Sequence, residues 1–136
     1  DAAYIRAQIK EQNKNLKRLK EISQKYTESF NEVEHITTPQ NCSKEHPYTL
    51  YIVKVDKNRD SFALEMKKKG VEVGLHYIPL HFLTYYKNKY SLKINNFPTA
   101  LTCYQQFMSL PIYPSMSDKE VAFVIKTVKT VSSTRV

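Results

Sequence analysis

The chain contains only two glycines, and both fall in one stretch, Gly70-Val-Glu-Val-Gly-Leu-His-Tyr-Ile-Pro-Leu-His81. Glycine is used where a backbone needs φ > 0 or close approach by another group. A chain that places both of its glycines here is shaping its backbone at this point. The stretch also dictates the order of elements around it. A helix must end at Gly70, a strand can run from Val71 to Tyr77, and Pro79 stops any regular continuation. Two of the four histidines, His76 and His81, lie in it as well. A second dense stretch, Ser109-Leu-Pro-Ile-Tyr-Pro114, follows further along.

Upstream, the periodicity is helical. Ile5, Ile9, Gln12, Leu16, Leu19, Ser23, Tyr26 and Phe30 recur at spacings alternating four and three. That places them on one face of a helix over residues 2–30, which should pack along most of its length. Residues 31–47 read as irregular. Tyr48-Thr-Leu-Tyr-Ile-Val-Lys-Val55 is short and rich in β-branched and aromatic residues, which predicts a strand. Asn58 offers an N-cap for a helix from Arg59 to Lys69, with Phe62, Ala63 and Met66 as its apolar face.

Beyond Pro79, a short helix fits within 81–90 and a polar loop within 91–96. Another helix runs from Phe97-Pro98 to about Phe107, with proline suited to its first turn. Met108 to Ile112 reads as a short strand. Ser117-Asp-Lys-Glu120 matches a capping box and opens a last helix carrying Val121, Val124, Ile125 and Val128. The tail from Ser132 to Val136 should fray. Three short strands, with helices that need a sheet to lie on, predict an α/β two-layer sandwich. Its small sheet of about three strands is covered by helices. A long connecting helix occupies residues 1–30 and the α/β domain proper occupies 31–136.

At 136 residues the chain can bury one real core. No apolar run approaches the eighteen or so residues that cross a bilayer, so no membrane partner is expected. The start, Asp1-Ala-Ala-Tyr-Ile-Arg6, lacks the pattern of a signal peptide and points to the cytoplasm; beginning without methionine, it suggests an excised piece. Cys42 and Cys103 have no Cys or His at metal-ligand spacing and read as plain thiols of a cytosolic protein. A net charge of +8 raises the question of nucleic acid. Most of the basic residues are lysines, however, many interleaved with glutamates on helical faces. Lys67-Lys68-Lys69 precedes Gly70, where a helix C-terminus favours cations. No nucleic-acid partner is expected.

Neither glycine belongs to a phosphate-cradling loop. A metal at His76 and His81 would need further ligands, and only Glu72 lies nearby, so no metal is expected. Two roles for these histidines stay open. They can satisfy backbone groups at a proline-broken strand end, or they can bind. Binding is favoured by position, because Gly74, His76, Tyr77 and Pro79 sit where a strand leaves the sheet. With Tyr77, His81, Tyr85 and Tyr86 gathered there, the donors suit a hydroxyl-rich, anionic ligand.

Gly70-Val-x-Val-Gly-x-His-Tyr-x-Pro-Leu-His81, then Tyr85-Tyr86, Phe97-Pro98, Ser109-Leu-Pro-Ile-Tyr-Pro114 and Ser117-Asp-x-Glu-Val121 together resemble a known pattern. It is the C-terminal domain of the DegT/DnrJ/EryC1/StrS family of pyridoxal-phosphate-dependent nucleotide-sugar aminotransferases. Ala2-Ala-Tyr-Ile-Arg-Ala-Gln8 resembles that family's alanine-rich helix leaving the large domain. The resemblance implies the small domain of a fold-type I aminotransferase. The Schiff-base lysine, the aspartate facing the pyridine nitrogen and the phosphate-binding residues would then lie upstream, on a large domain absent here.

No catalytic or cofactor-binding residue is therefore expected in this chain, which alone should be silent. The implied substrate-binding residues are His76, Tyr77 and His81, with Tyr85 beside them. The implied substrate is a nucleotide-linked keto sugar, in the making of 4-amino-4,6-dideoxy sugars for bacterial surface polysaccharides. The implied partners are the protein's own large domain and, at full length, a second copy. Two other functions stand beside this one. One is a stand-alone sugar- or nucleotide-binding module; the other is an oligomerisation module built on the first helix.

Overall fold

The helical stripe of the first residues forms, but only half of it is covered. In a computed structural model that describes residues 2–40, 43 and 45–134, helix α1 runs Ala2–Phe30. Leu19, Ile22, Ser23, Tyr26 and Phe30 are buried, whereas Ile5 and Ile9 are 57% and 62% exposed. The expectation of packing along most of the helix is thus corrected. The reason is length. At about 1.5 Å per residue, the 29 residues of α1 outrun the 16-residue helix α5 (Asp118–Ser133) against which it lies. Ile22, which the spacing did not single out, joins the buried face.

Strands β1 (Ile36–Thr37), β2 (Tyr51–Val55) and β3 (Phe107–Leu110) form an antiparallel sheet in the order β1-β2-β3. Ile36 faces Val55, and Tyr51 faces Leu110. Tyr51, Val53 and Val55 are buried, while Ile52 is half-buried and Lys54 exposed. That alternation turns one sheet face toward α1, α5 and α2 (Arg59–Lys68), where Phe62, Met66, Val121, Val124 and Val128 complete the core. The α/β class and the three strands agree with the sequence reading, but one strand is different. The expected strand over Val71–Tyr77 reduces to a single bridge between Gly74 and Ser109. Only that residue pairs with the short β3 before the chain turns outward. The third strand is instead β1, which pairs with β2 at the opposite edge of the sheet and, at two residues, is too short to show a period.

Other boundaries shift for local reasons. Tyr48 adopts φ 48°, outside the strand region, so β2 begins at Tyr51. Pro111, which has no N–H for a ladder, follows the end of β3 at Leu110. The tail does not fray at Ser132, which is buried in α5 with its hydroxyl donating to the Glu34 carbonyl. Arg135 and Val136 lie outside the described residues, as does Cys42. Cys103 is half-buried on α4 (Pro98–Gln106).

The capping signals are realised. Asn58 Oδ1 accepts from Ser61 N at 3.1 Å. At the other end of α2, Gly70 takes φ 84°. Gly70 N then donates to Lys67 O and Val71 N to Met66 O, both at 2.9 Å. This is a Schellman closure with Met66 and Val71 buried together. At α5, Glu120 accepts from Ser117 N at 2.7 Å while Ser117 Oγ accepts from Glu120 N at 3.3 Å.

Asp118 fastens α5 to α1. Its Oδ1 accepts from Lys25 Nζ and from Arg18 Nη2, each at 2.9 Å, and Arg18 also donates to Met116 O at 2.7 Å. The Lys25 ammonium first, then the Arg18 guanidinium, hold this carboxyl below its ordinary value. A carboxyl lowered in the folded state stabilises above its unfolded pKa, and that contribution is lost as pH falls through the folded one. Melting followed by circular dichroism should therefore show Tm dropping below about pH 4. Asp118→Asn should lower Tm at neutral pH and flatten that acid limb; an unchanged limb would place the acid sensitivity elsewhere.

Candidate functional site

The site is built where the segment after α2 leaves the sheet edge. Gly74 and Ser109 exchange two backbone hydrogen bonds, Gly74 N to Ser109 O at 2.9 Å and Ser109 N to Gly74 O at 2.8 Å. Gly74 has no need of an unusual φ; it is glycine because the His76 ring lies where a Cβ would stand, against Cε1. The ring is held there by Ser109, whose Oγ is 2.8 Å from His76 Nδ1. The His76–Tyr77 peptide is cis. The Tyr77 ring meets His76 edge-on at 5.0 Å and is 79% exposed.

A cleft of about 200 Å³ opens beside these residues. His76, Tyr77 and Pro79 form one side of it, Cys103 and Tyr104 of α4 another, and Ile52 and Ser109 of the sheet its floor. Arg59 braces the α4 wall. It is buried, donates from Nη1 to Phe107 O at 2.8 Å, and lies 5.5 Å from the centre of the Tyr104 ring; its Nε stands 2.6 Å from Asp60 Oδ1. Burial of a cation with an ion pair, a carbonyl and an aromatic face joins α2, β3 and α4 at one point.

The four sequence-predicted residues separate. His76 and Tyr77 come together on the cleft. His81 does not line it. It sits in a 3₁₀ turn, Leu80–Phe82, only 6% exposed, with its ring 4.8 Å from those of Phe82 and Phe97. Its Nε2 is buried with no hydrogen-bond partner among the described residues. Tyr85, on α3 (Thr84–Tyr90), is 64% exposed, packs edge-on against Tyr86 at 5.3 Å, and accepts from Lys89 Nζ at 3.1 Å.

Two contributors escaped the sequence reading. Ser109 belongs to a stretch read as organising the sheet, and nothing local marks its hydroxyl as a partner of His76. Arg59 carries no periodic signal either, since an arginine in a first helical turn reads as surface.

The arrangement can stack against and hydrogen-bond a ring bearing hydroxyls. Among the described residues, neither a lysine nor a carboxylate lines the cleft. A cofactor that requires a Schiff-base lysine and a carboxylate at a ring nitrogen does not fit there.

A model of the DegT/DnrJ/EryC1/StrS aminotransferase family matches residues 1–129. Aminotransferases of that family use pyridoxal phosphate. The chain is 32% identical over 129 residues to the spore coat polysaccharide biosynthesis protein SpsC of Bacillus subtilis, covering 90% of this chain and 33% of that protein. It is 30% identical over 131 residues to the UDP-4-amino-4-deoxy-L-arabinose–oxoglutarate aminotransferase of Shewanella sediminis, covering 83% and 34%. Among solved structures, it superimposes on Spr1654 of Streptococcus pneumoniae in its PLP form with a TM-score of 0.85 and 31% identity, covering 93% of this chain and 33% of that one. The chain thus spans about a third of the length of the relatives it matches.

Proposed function

This chain belongs to the DegT/DnrJ/EryC1/StrS aminotransferase family, and from that we propose that it is the small domain of an enzyme transferring an amino group to a nucleotide-linked keto sugar. The pathway proposed is surface-polysaccharide biosynthesis in the cytoplasm of a bacterium. When bound, pyridoxal phosphate supplies the electron sink for amino transfer. It would be held by polypeptide beyond this chain, because the cleft here has no group to hold it. The part left to these residues is to bind and orient the sugar.

One observation carries the reading. An imidazole and a phenol, His76 and Tyr77, stand together on an open cleft whose floor and wall are apolar and aromatic. Sugars are bound in this way, by hydrogen bonds to hydroxyls with a ring face against aromatic carbon. Tyr85 on α3 and His81 in the 3₁₀ turn do not line the cleft, and it is the family resemblance that assigns them to the same substrate. The uncovered Tyr4, Ile5 and Ile9 on α1, with half-buried Leu16 beside them, support a second body there. We assign it to the enzyme's own large domain, and a second copy of the full-length protein completes the assembly.

The direct test is to incubate the intact enzyme with pyridoxal phosphate, an amino-acid donor and a UDP-linked 4-keto-6-deoxyhexose, and to follow the amino sugar by mass spectrometry. Its absence across a panel of keto sugars would remove the assignment. In the same enzyme, Tyr77→Phe should lower kcat/KM by about tenfold, the scale of one lost polar contact, and leave the cofactor's visible absorbance unchanged. Loss of that absorbance would make the Tyr77 hydroxyl a structural group.

A further inference from the structure

We infer that Ser109 is a positioning residue, which fixes the His76 imidazole as the Nε2–H tautomer and so presents a hydrogen-bond donor to an acceptor oxygen of the sugar nucleotide. The inference rests on the cleft being the sugar site, and it adds the nitrogen that acts and the residue that selects it.

The argument is a count of donors and acceptors. Ser109 is 5% exposed on β3, and its backbone N–H and C=O are both spent on Gly74. The hydroxyl has one partner among the described residues, His76 Nδ1 at 2.8 Å. A buried hydroxyl hydrogen must find an acceptor, whereas a hydroxyl oxygen can more readily go without a donor. Were Nδ1 protonated, it would donate to Ser109 Oγ, and the serine hydrogen would have no acceptor among the described residues. The satisfied arrangement is the other one. Ser109 donates, Nδ1 accepts, and the ring proton resides on Nε2.

Geometry prevents the ring from escaping this choice. The Gly74–Ser109 bridge sets the two backbones at hydrogen-bonding distance. The space over the Gly74 Cα is filled by the imidazole, with Cε1 where a Cβ would be. Tyr77 closes the ring's other side edge-on at 5.0 Å. His76 Nε2 has no protein partner among the described residues, and His76 lines the cleft, so the donor is available to a ligand. A keto or hydroxyl oxygen of the sugar, or a diphosphate oxygen, is the chemistry that such a donor recognises.

The test uses the intact enzyme labelled with ¹⁵N-histidine, the His76 signal being identified by its disappearance in His76→Gln. Wild type should show Nδ1 unprotonated and Nε2 protonated; a protonated Nδ1 would overturn the inference, whatever the variants do. Ser109→Ala should free the tautomer and raise KM for the nucleotide sugar about tenfold, with kcat moved less than about twofold. Ser109→Thr, which keeps the hydroxyl, should bring both readouts back toward wild type. If His76→Gln raises KM but a folded Ser109→Ala does not, the cleft is the sugar site and Ser109 does not tune it. If His76→Gln leaves KM unchanged, the reading of the cleft fails and takes this inference with it.

Discussion

Gly74→Ala is expected to leave the domain folded and yet weaken nucleotide-sugar binding by the intact enzyme about tenfold or more. The added methyl has nowhere to go, since it would stand inside the His76 imidazole at Cε1, with Nδ1 and Nε2 next nearest. Backbone strain is not the issue, because φ at Gly74 lies outside the left-handed region that sets Gly70 apart. Either the ring rotates out, breaking its 2.8 Å bond to Ser109, or the Gly74–Ser109 bridge opens. Both lose the presentation of His76 to the cleft. Overpacking of this kind costs roughly 1–3 kcal/mol, and little of it should reach the core, where Gly74 has no part. Calorimetric titration with a UDP-sugar, beside a thermal melt, separates the two effects. Wild-type affinity in a folded Gly74→Ala enzyme would mean that the ring's placement is immaterial.

Tyr26→Ala is expected to cost about 3–5 kcal/mol of unfolding free energy. Tyr26 is fully buried, stacks on Phe30 at 5.6 Å and meets Tyr51 edge-on at 5.1 Å. It thereby joins the covered half of α1 to the central strand. Its hydroxyl donates to Pro111 O at 2.9 Å, tying the helix to the segment that follows β3. Burial, followed by Tyr113 and Tyr51, pushes its pKa well above the ordinary phenol value, so the hydroxyl stays a donor at any working pH. Tyr26→Phe keeps the ring and should lose only about 1 kcal/mol, the worth of the hydrogen bond. Urea unfolding monitored by circular dichroism distinguishes the pair. A loss below about 1 kcal/mol for Tyr26→Ala would show that α1 is held by contacts other than this one.

What could be read from the residues alone was whatever is decided within a turn or two of chain. The period of α1 follows from its spacing, although the spacing says nothing of how far a partner reaches, and Ile5 and Ile9 stay bare. Asn58, Gly70 and the Ser117–Glu120 pair mark helix ends because capping bonds close between near neighbours. The family resemblance was likewise legible, as a string of short motifs in order. The strand over 71–77 was not, because extended residues become a strand only when a neighbour pairs with them. Here the neighbour meets Gly74 alone, while Ile36 and Thr37 find Val55 and Lys54.

The site divides along the same line. That His76 and Tyr77 stand at a turn was visible in Gly74 and Pro79. That Ser109 holds the imidazole, that His81 turns inward between Phe82 and Phe97, and that Arg59 braces Tyr104 depend on segments far apart in the chain. Sequence alone determined the helices, their capped ends at Asn58, Gly70 and Ser117, and the family, because propensity, capping and periodicity act over a few bonds. Only the tertiary structure decided which strand completes the sheet and which nitrogen of His76 is engaged, because a burial or a hydrogen bond between distant residues exists only once the fold has brought them together.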